Sequence, residues 1–236
     1  MQDMTPLRSI SLCKNINNTL NSPLLTPTCK IVSYKKYTIP QLNSREGFDK
    51  ASEFYRQYWT HLNSVDNNRF LRYLPRSLKG LSILDIGAGD GRVFEHFKNS
   101  EFQRYIALDI SQKMLDHFRS SQIEKICTDC SEHIPLESES MDLALGFFFF
   151  EYINTLHDFF DEMQRILKPG GTFVATYFYQ RNAFVRGHGD EAFKIAREGH
   201  TYDDIKKAAE YAFFHIEETP ILDQGRTVGY IYVFTK

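Results

Sequence analysis

The chain has 236 residues, 42% of them hydrophobic, with a formal net charge of -2 and an isoelectric point near 6.4. That length can bury the core of one full α/β domain, and the near-neutral balance lacks the basic character expected of a nucleic-acid binder. No apolar run approaches the roughly 20 residues needed to span a bilayer, so a soluble, cytoplasmic protein without a membrane span is expected.

Residues 1–45 are rich in Asn, Ser, Thr and Pro, with Asp3 as their one acid and no amphipathic period. They read as a flexible tail. An organellar transit segment is the alternative, since such segments are Ser-rich, basic and acid-poor. From Glu46 the pattern turns helical. Phe48, Ala51, Phe54, Tyr55, Tyr58 and Trp59 recur at spacings of three and four on one helix face, and a second helix is predicted over 67–74. Residues 46–75 thus supply helices at the front of a domain running to 236.

An apolar strand over 81–86 then stops in Gly87-Ala88-Gly89-Asp90-Gly91, with a helix predicted from Arg92 through Phe97. Glycine permits backbone angles and close approaches that a Cβ forbids, so this turn is a cofactor cradle candidate. Its G-x-G-x-G spacing departs from the dinucleotide G-x-G-x-x-G, and no G-K-[ST] follows as a phosphate loop requires. A second strand over 104–110 ends in Asp109, at the interval where a Rossmann-type fold places an acid on ribose hydroxyls.

A third strand is predicted over 126–130, ending near Asp129 and Cys130, and a fourth over 141–146, running into Phe147 to Phe150. After a helix, Leu167-Lys168-Pro169-Gly170-Gly171 makes a turn into a fifth strand over 172–179. A helix over 203–213 and strands over 216–222 and 227–235 complete the pattern. The turn Asp223-Gln224-Gly225-Arg226 allows the last two strands to pair antiparallel. Cys127 and Cys130 form a C-x-x-C without the second pair a zinc site needs, and Cys13 and Cys29 lie far upstream, so free thiols and no metal are expected.

In this order, the glycine turn, the ribose acid, the second acid, the apolar fourth strand and the L-K-P-G-G turn resemble the class I S-adenosylmethionine-dependent methyltransferases. The likeness is to the type 11 group that modifies small molecules, and it covers about residues 80–236. It implies an α/β, Rossmann-like seven-stranded sheet with an antiparallel last strand, and S-adenosylmethionine as cofactor. Residue by residue, it implies that Asp85 and the Gly87-Ala88-Gly89 backbone face the methionine part. Asp109 would hold the ribose with Ile110 beside the adenine, Asp129 would accept from the adenine amino group with Cys130 next to it, and Gly146 and Phe147 would lie under the sulfonium. Asp85 reads equally well as a residue that orients the turn. In such a family the front helices form a lid, and Tyr55 and Tyr58 are its pocket candidates, since a phenol offers a hydrogen bond and a π face to a cation.

The donor carries its own leaving group, so alignment and exclusion of water suffice for many acceptors, and a base helps only for hydroxyls or phenols. Glu151 and Tyr152 after the fourth strand, where related sequences often read Glu-His, and His188 in a loop are the candidates for such a base; His133 is a loop residue of lower rank. Tyr177, Phe178, Tyr179 and Phe184, with Phe147 to Phe150, point to an apolar or aromatic small-molecule acceptor. No Asn-Pro-Pro-Tyr follows the fourth strand, which separates the chain from enzymes acting on DNA adenine or protein glutamine. Methyl transfer to a small molecule is the reading. An aminopropyl transferase and a non-catalytic S-adenosylmethionine-binding assembly factor or sensor are the rivals.

Overall fold

The computed structural model describes residues 38–179 and 185–236. Most of the predicted tail, with Cys13 and Cys29, and Phe184 lie outside the described residues. A central sheet has seven strands: β2 (Ser82–Ile86), β3 (Arg104–Asp109), β4 (Glu124–Cys127), β5 (Met141–Gly146), β6 (Leu167–Phe178), β9 (His215–Asp223) and β10 (Arg226–Thr235). They run in the order β4-β3-β2-β5-β6-β10-β9. The first five pair in parallel, and β10 runs antiparallel to both β6 and β9. This is the Rossmann-like sheet with a reversed last strand that the resemblance implied. β2 lies between β3 and β5, so the strand order switches there, and the carboxyl end of β2 is where a ligand crevice forms in such sheets.

The alternation of β2 and β3 sends side chains into two apolar layers. Leu84, Ile86, Ile106 and Leu108 join one layer, and Ile83, Tyr105 and Ala107 join the other. The first layer is covered by α4 (Leu156–Ile166), whose Leu156, Phe159, Phe160, Met163 and Ile166 are buried at helical spacing. It is also covered by α5 (Tyr202–Tyr211), which starts in a capping box between Thr201 and Asp204. Between β3 and β4, the short α3 (Gln112–His117) is capped by the Ser111 hydroxyl. None of the helices among the described residues is long and apolar enough to cross a membrane.

Several elements depart from the predicted pattern. The single helix expected from Glu46 is α1 (Ser44–Ala51), a 3-10 turn over Tyr55–Tyr58, and α2 (Trp59–Asp66). Its aromatics do not share one face, because Phe48 and Tyr55 turn toward the end of the sheet while the Trp59 indole N–H donates to Asp90 at 2.8 Å. The helix expected over 67–74 shrinks to a 3-10 turn at Arg69–Tyr73, since Asn67 and Asn68 both take left-handed backbone angles. After the glycine turn there is a 3-10 turn at Phe94–His96 in place of an α-helix. Winding at three residues per turn puts Phe94 and Phe97 on the same side, and both are buried near Tyr105.

β4 ends at Cys127, so Asp129 and Cys130 occupy the loop beyond it. The predicted Lys168-Pro169-Gly170-Gly171 turn interrupts the β5–β6 register between Leu167 and Thr172. A second, three-stranded sheet was not foreseen. In it, β1 (Gln41–Leu42) pairs with β8 (Phe193–Ile195), which pairs with β7 (Val185–Arg186). It packs on α1 at Gly47, where a Cβ would stand 2.6 Å from Ile195 Cγ1, so only glycine permits this approach.

A buried ion pair links α2 to the segment after the glycine turn. Arg92 Nη1 donates to Asp66 Oδ2 at 3.1 Å and to Asn63 Oδ1 at 2.8 Å, with Asp66 fully buried. Burial pushes the Asp66 carboxyl up, against the Arg92 charge and its hydrogen bonds. Removing one partner of such a pair leaves an uncompensated buried charge. Arg92→Met is therefore expected to lower the urea-unfolding free energy by about 3 to 5 kcal/mol, with part of the loss restored by adding Asp66→Asn. Equal stability of the single and double variants would contradict a charge origin.

Candidate functional site

Where β2 ends, the chain turns through Gly87 and Gly89, both at left-handed backbone angles (φ 64° and 58°). The Ala88 N–H donates to Leu108 O at 3.0 Å, and the Gly89 N–H donates to Asp109 Oδ2 at 2.8 Å. The other Asp109 oxygen accepts the Ser111 N–H at 2.9 Å. One carboxylate thus holds two turns from neighbouring strands in register. Asp109 is only 7% exposed. Burial pushes its carboxyl up to about 6, opposed by the Ser111 and Gly89 hydrogen bonds and reinforced by the negative charges of Asp49 and Asp90.

A cleft opens beside this turn. Its walls come from the sheet end (Leu108, Asp109, Ile110, Phe147), from α3 (Met114), from the loop after β4 (Thr128, Asp129, Cys130) and from the front segment (Ser44, Phe48, Tyr55). Asp129 Oδ1 accepts the Ser131 N–H at 2.9 Å. Burial, then the Asp129 charge, pushes the Cys130 thiol up and keeps it protonated. Asp85 lies apart from this wall. It is 1% exposed, accepts the Tyr105 hydroxyl at 2.8 Å, and borders a smaller chamber with Gly87, Ala88, Gly89, Asp90 and Arg92. Burial pushes its carboxyl up to about 7, against the Tyr105 hydrogen bond and the Arg92 charge.

At the end of β5 the Phe149 ring fills the space beside the Gly146 Cα, where a Cβ would meet Phe149 Cε1 at 2.5 Å, and Phe147 lines the cleft.

A larger, open cavity adjoins the cleft, and Phe48, Tyr55, Phe148 and Tyr152 line both. Tyr58 lines only this second cavity, with Phe178, Tyr179, Leu222 and Val228. Phe148 and Phe178 stack with ring centroids 4.8 Å apart. Tyr177 points the other way, as strand alternation requires, and its hydroxyl donates to His200 O at 3.2 Å on the α5 side. Phe149 and Phe150 likewise belong to the core.

Glu151 and Tyr152 both reach the cavity, but in engaged states. Glu151 pairs with Arg197 at 3.0 Å, and burial pushes its carboxyl up against the charges of Arg197 and Arg186. Tyr152 Oη accepts from Arg186 Nη2 at 3.4 Å, and burial, then Glu151, pushes its phenol up. His188 is corrected. It is exposed on the loop after β7 and lines none of these chambers, whereas Arg186, two residues earlier, is 9% exposed and lines the larger one. His133 is also exposed, with Nδ1 3.1 Å from Glu162 Oε2. Arg186 and Arg197 escaped sequence reasoning because their places depend on the pairing of β7 with β8 and on the ion pair with Glu151.

A family model described as a methyltransferase domain matches residues 84–175, the stretch from β2 into β6 that builds the cleft. The malonyl-[acyl-carrier protein] O-methyltransferase of Marinomonas sp. (strain MWYL1) is 33% identical over 159 residues, covering 64% of this chain and 55% of that protein. The demethylmenaquinone methyltransferase of Leptospira interrogans is 25% identical over 157 residues, covering 58% and 63%. The chain spans about half the length of the first curated relatives it matches. The fold is shared with the putative methyltransferase of Haloferax volcanii solved in complex with the Trm112 methyltransferase activator. The TM-score there is 0.64 at 18% identity, over 81% of this chain and 96% of that one. Sheet order and sequence match point the same way, and the chain is similar to the class I S-adenosylmethionine-dependent methyltransferases over the stretch that builds the cleft.

Proposed function

We propose that this chain transfers a methyl group from S-adenosylmethionine to a small acceptor with an apolar or aromatic body. The observation that carries the reading is the pair of chambers that meet along Phe48, Tyr55, Phe148 and Tyr152. A donor in the cleft and an acceptor in the larger cavity would meet at that seam. When bound, the cofactor supplies a methyl on a positively charged sulfur that is already a leaving group.

The residues present fit that cofactor. Asp109 keeps acceptor capacity beyond its bonds to Gly89 and Ser111, and a buried carboxylate at a strand end suits a vicinal diol. Ile110 would cover the adenine, with Asp129 and Cys130 at its edge, and Phe147 would floor the far end. The Gly87-Ala88-Gly89 backbone permits close approach of the methionine part, and Asp85, fixed by Tyr105, would bear on it through the smaller chamber. Tyr55 would close the cleft, since its ring lies 3.9 Å from where a Cβ on Gly89 would stand.

Catalysis would rest on alignment and exclusion of water. Glu151 is tied to Arg197 and the Tyr152 phenol is held protonated, so both would position the acceptor and neither would take a proton from it. The acceptor cavity carries Arg69, Arg186 and Arg197 against Glu151 and Asp223, which suits a polyamine poorly and disfavours aminopropyl transfer. Two relatives are named for methylating malonyl-[acyl-carrier protein] and demethylmenaquinone, which supports methyl transfer as the reaction class.

Calorimetric titration is expected to show binding of both S-adenosylmethionine and S-adenosylhomocysteine, and an acceptor panel is expected to release S-adenosylhomocysteine. Binding without release for any acceptor would favour the sensor or assembly-factor reading, and binding of neither would overturn the proposal. Asp109→Ala is expected to weaken cofactor binding at least tenfold, from loss of charge-assisted hydrogen bonds worth about 1.5 to 3 kcal/mol each; unchanged affinity would remove the ribose assignment.

The pH dependence follows from the raised Asp109 carboxyl. Its affinity for a proton is higher folded, at about 6, than at its ordinary value of 3.8. The folded state therefore holds more protons between these values, and stability contributed by Asp109 falls as pH rises through this window. Cofactor affinity moves oppositely, because the ionised carboxylate is the stronger acceptor. Thermal melts and titrations across the window should show both trends, and Asp109→Asn should flatten them; trends that persist in Asp109→Asn would assign them to another group.

A further inference from the structure

Asp90 of the glycine turn is 3% exposed, and it meets two side chains of the front segment. The Trp59 indole N–H donates to Oδ1 at 2.8 Å, and Arg56 Nε donates to Oδ2 at 3.4 Å. Arg56 Nη2 also donates to the Asp90 carbonyl at 3.3 Å, and the guanidinium carbon lies 4.5 Å from the Trp59 ring centroid. One acid thus grips the 3-10 turn Tyr55–Tyr58 at Arg56 and again at Trp59, its C-terminal cap. The winding explains why a single carboxylate can do so. The Trp59 backbone N–H donates to Arg56 O, three residues back, and in a 3-10 turn residues three apart lie one above the other. Arg56 and Trp59 therefore share the side that meets Asp90. Tyr55 and Tyr58 share another, with ring centroids 6.2 Å apart. That side lines the chambers: Tyr58 borders the larger cavity, and Tyr55 borders the cleft, the smaller chamber and the larger cavity alike.

From this arrangement we infer that Asp90 is a positioning residue. By holding the Tyr55–Tyr58 turn against the glycine turn, it sets Tyr55 where the three chambers meet, over the part of the cleft that takes the methionine arm of the cofactor. The inference rests on the methyltransferase reading for the identity of that arm, and on the contacts of Asp90 alone for the placing of Tyr55.

The glycine turn is the link between the two. Asp90 borders the smaller chamber together with Gly87, Ala88 and Gly89, and Tyr55 Cε1 stands 3.9 Å from the place of a Cβ on Gly89. An arm lying on this turn beneath Tyr55 favours the held position of the 3-10 turn. By reciprocity the hold of Asp90 on Arg56 and Trp59 favours the arm. The nucleoside part, assigned to Asp109, Ile110 and Asp129 in the proposed function, has its own contacts and does not depend on that hold.

Trp59 is the sole tryptophan of the chain, so its fluorescence reports on this contact directly. In the full wild-type chain, saturating S-adenosylhomocysteine is expected to lower acrylamide quenching of Trp59, whereas saturating adenosine, which lacks the methionine arm, leaves it unchanged. In calorimetric titrations Asp90→Ala is expected to weaken S-adenosylhomocysteine at least about fivefold, the lower end of ordinary coupling between sites, and to leave adenosine within about twofold. Asp90→Asn, whose amide oxygen still accepts the indole N–H, should recover most of the loss. Equal weakening of both ligands would make Asp90 a merely structural residue and overturn the inference, as would unchanged affinity for S-adenosylhomocysteine. Quenching of the wild-type chain decides the matter even if Asp90→Ala fails to fold, since the same Trp59 response to both bound ligands, or none to either, contradicts the inference while keeping the methyltransferase reading. A wild-type chain that binds neither ligand rejects that reading and the inference together.

Discussion

The Asp109 carboxylate is the constraint on which the cleft depends. One oxygen accepts the Gly89 N–H from the turn after β2, and the other accepts the Ser111 N–H from the turn after β3. A buried charged group stays folded in only if such donors satisfy it. The acid is thus both a structural clamp on the glycine turn and the polar feature a ribose would address. Its raised proton affinity follows from the same placement, because burial and the nearby charges of Asp49 and Asp90 outweigh two backbone hydrogen bonds. On the proposed function, structure and binding meet at this residue, and the variants of Asp109 test both together.

Around this clamp the front helices are fastened by polar contacts at their two ends. Asp49 of α1 accepts the Ser111 hydroxyl at 2.6 Å, and Arg45 Nη1 donates to Ile110 O at 2.7 Å. At the other end, Asp90 of the glycine turn accepts the Trp59 indole N–H and pairs with Arg56 at 3.4 Å. Between these ends, Phe48 and Tyr55 line the cleft and form the seam with the larger cavity. The small sheet of β1, β8 and β7 braces the same cover from behind and carries Arg186 into it. Cover, seam and cavity wall are therefore one connected unit, built from segments far apart in the chain.

The sheet and the cradle were legible in the sequence because their signals are local. Apolar strands, the glycine turn, Asp109 at its fixed interval and the Lys168-Pro169-Gly170-Gly171 turn each occupy a few consecutive residues, and their order carries the resemblance to the methyltransferases. The cover was legible only as helical spacing. That spacing did not reveal that the stretch would fold as three pieces, nor that Trp59 would meet Asp90 and Asp66 would pair with Arg92. The lining of the larger cavity was hidden from the sequence for a related reason. His188 looked chemical by residue type, yet the pairing of β7 with β8 turns Arg186 inward and leaves His188 in solvent. Tyr177 and Phe178 were indistinguishable as aromatics until strand alternation assigned them to opposite faces. Residue chemistry is written locally, and which residue meets the cavity is decided by long-range pairing.

The central claim is that the cleft beside Asp109 holds S-adenosylmethionine with its reactive end turned to the seam of Tyr55, Phe148 and Tyr152. The most direct measurement is a crystal structure with S-adenosylhomocysteine bound. The account predicts ribose hydroxyls on the Asp109 carboxylate, adenine beside Ile110, and sulfur facing the larger cavity. Density for the ligand elsewhere, or for a ribose that leaves Asp109 untouched, would contradict it.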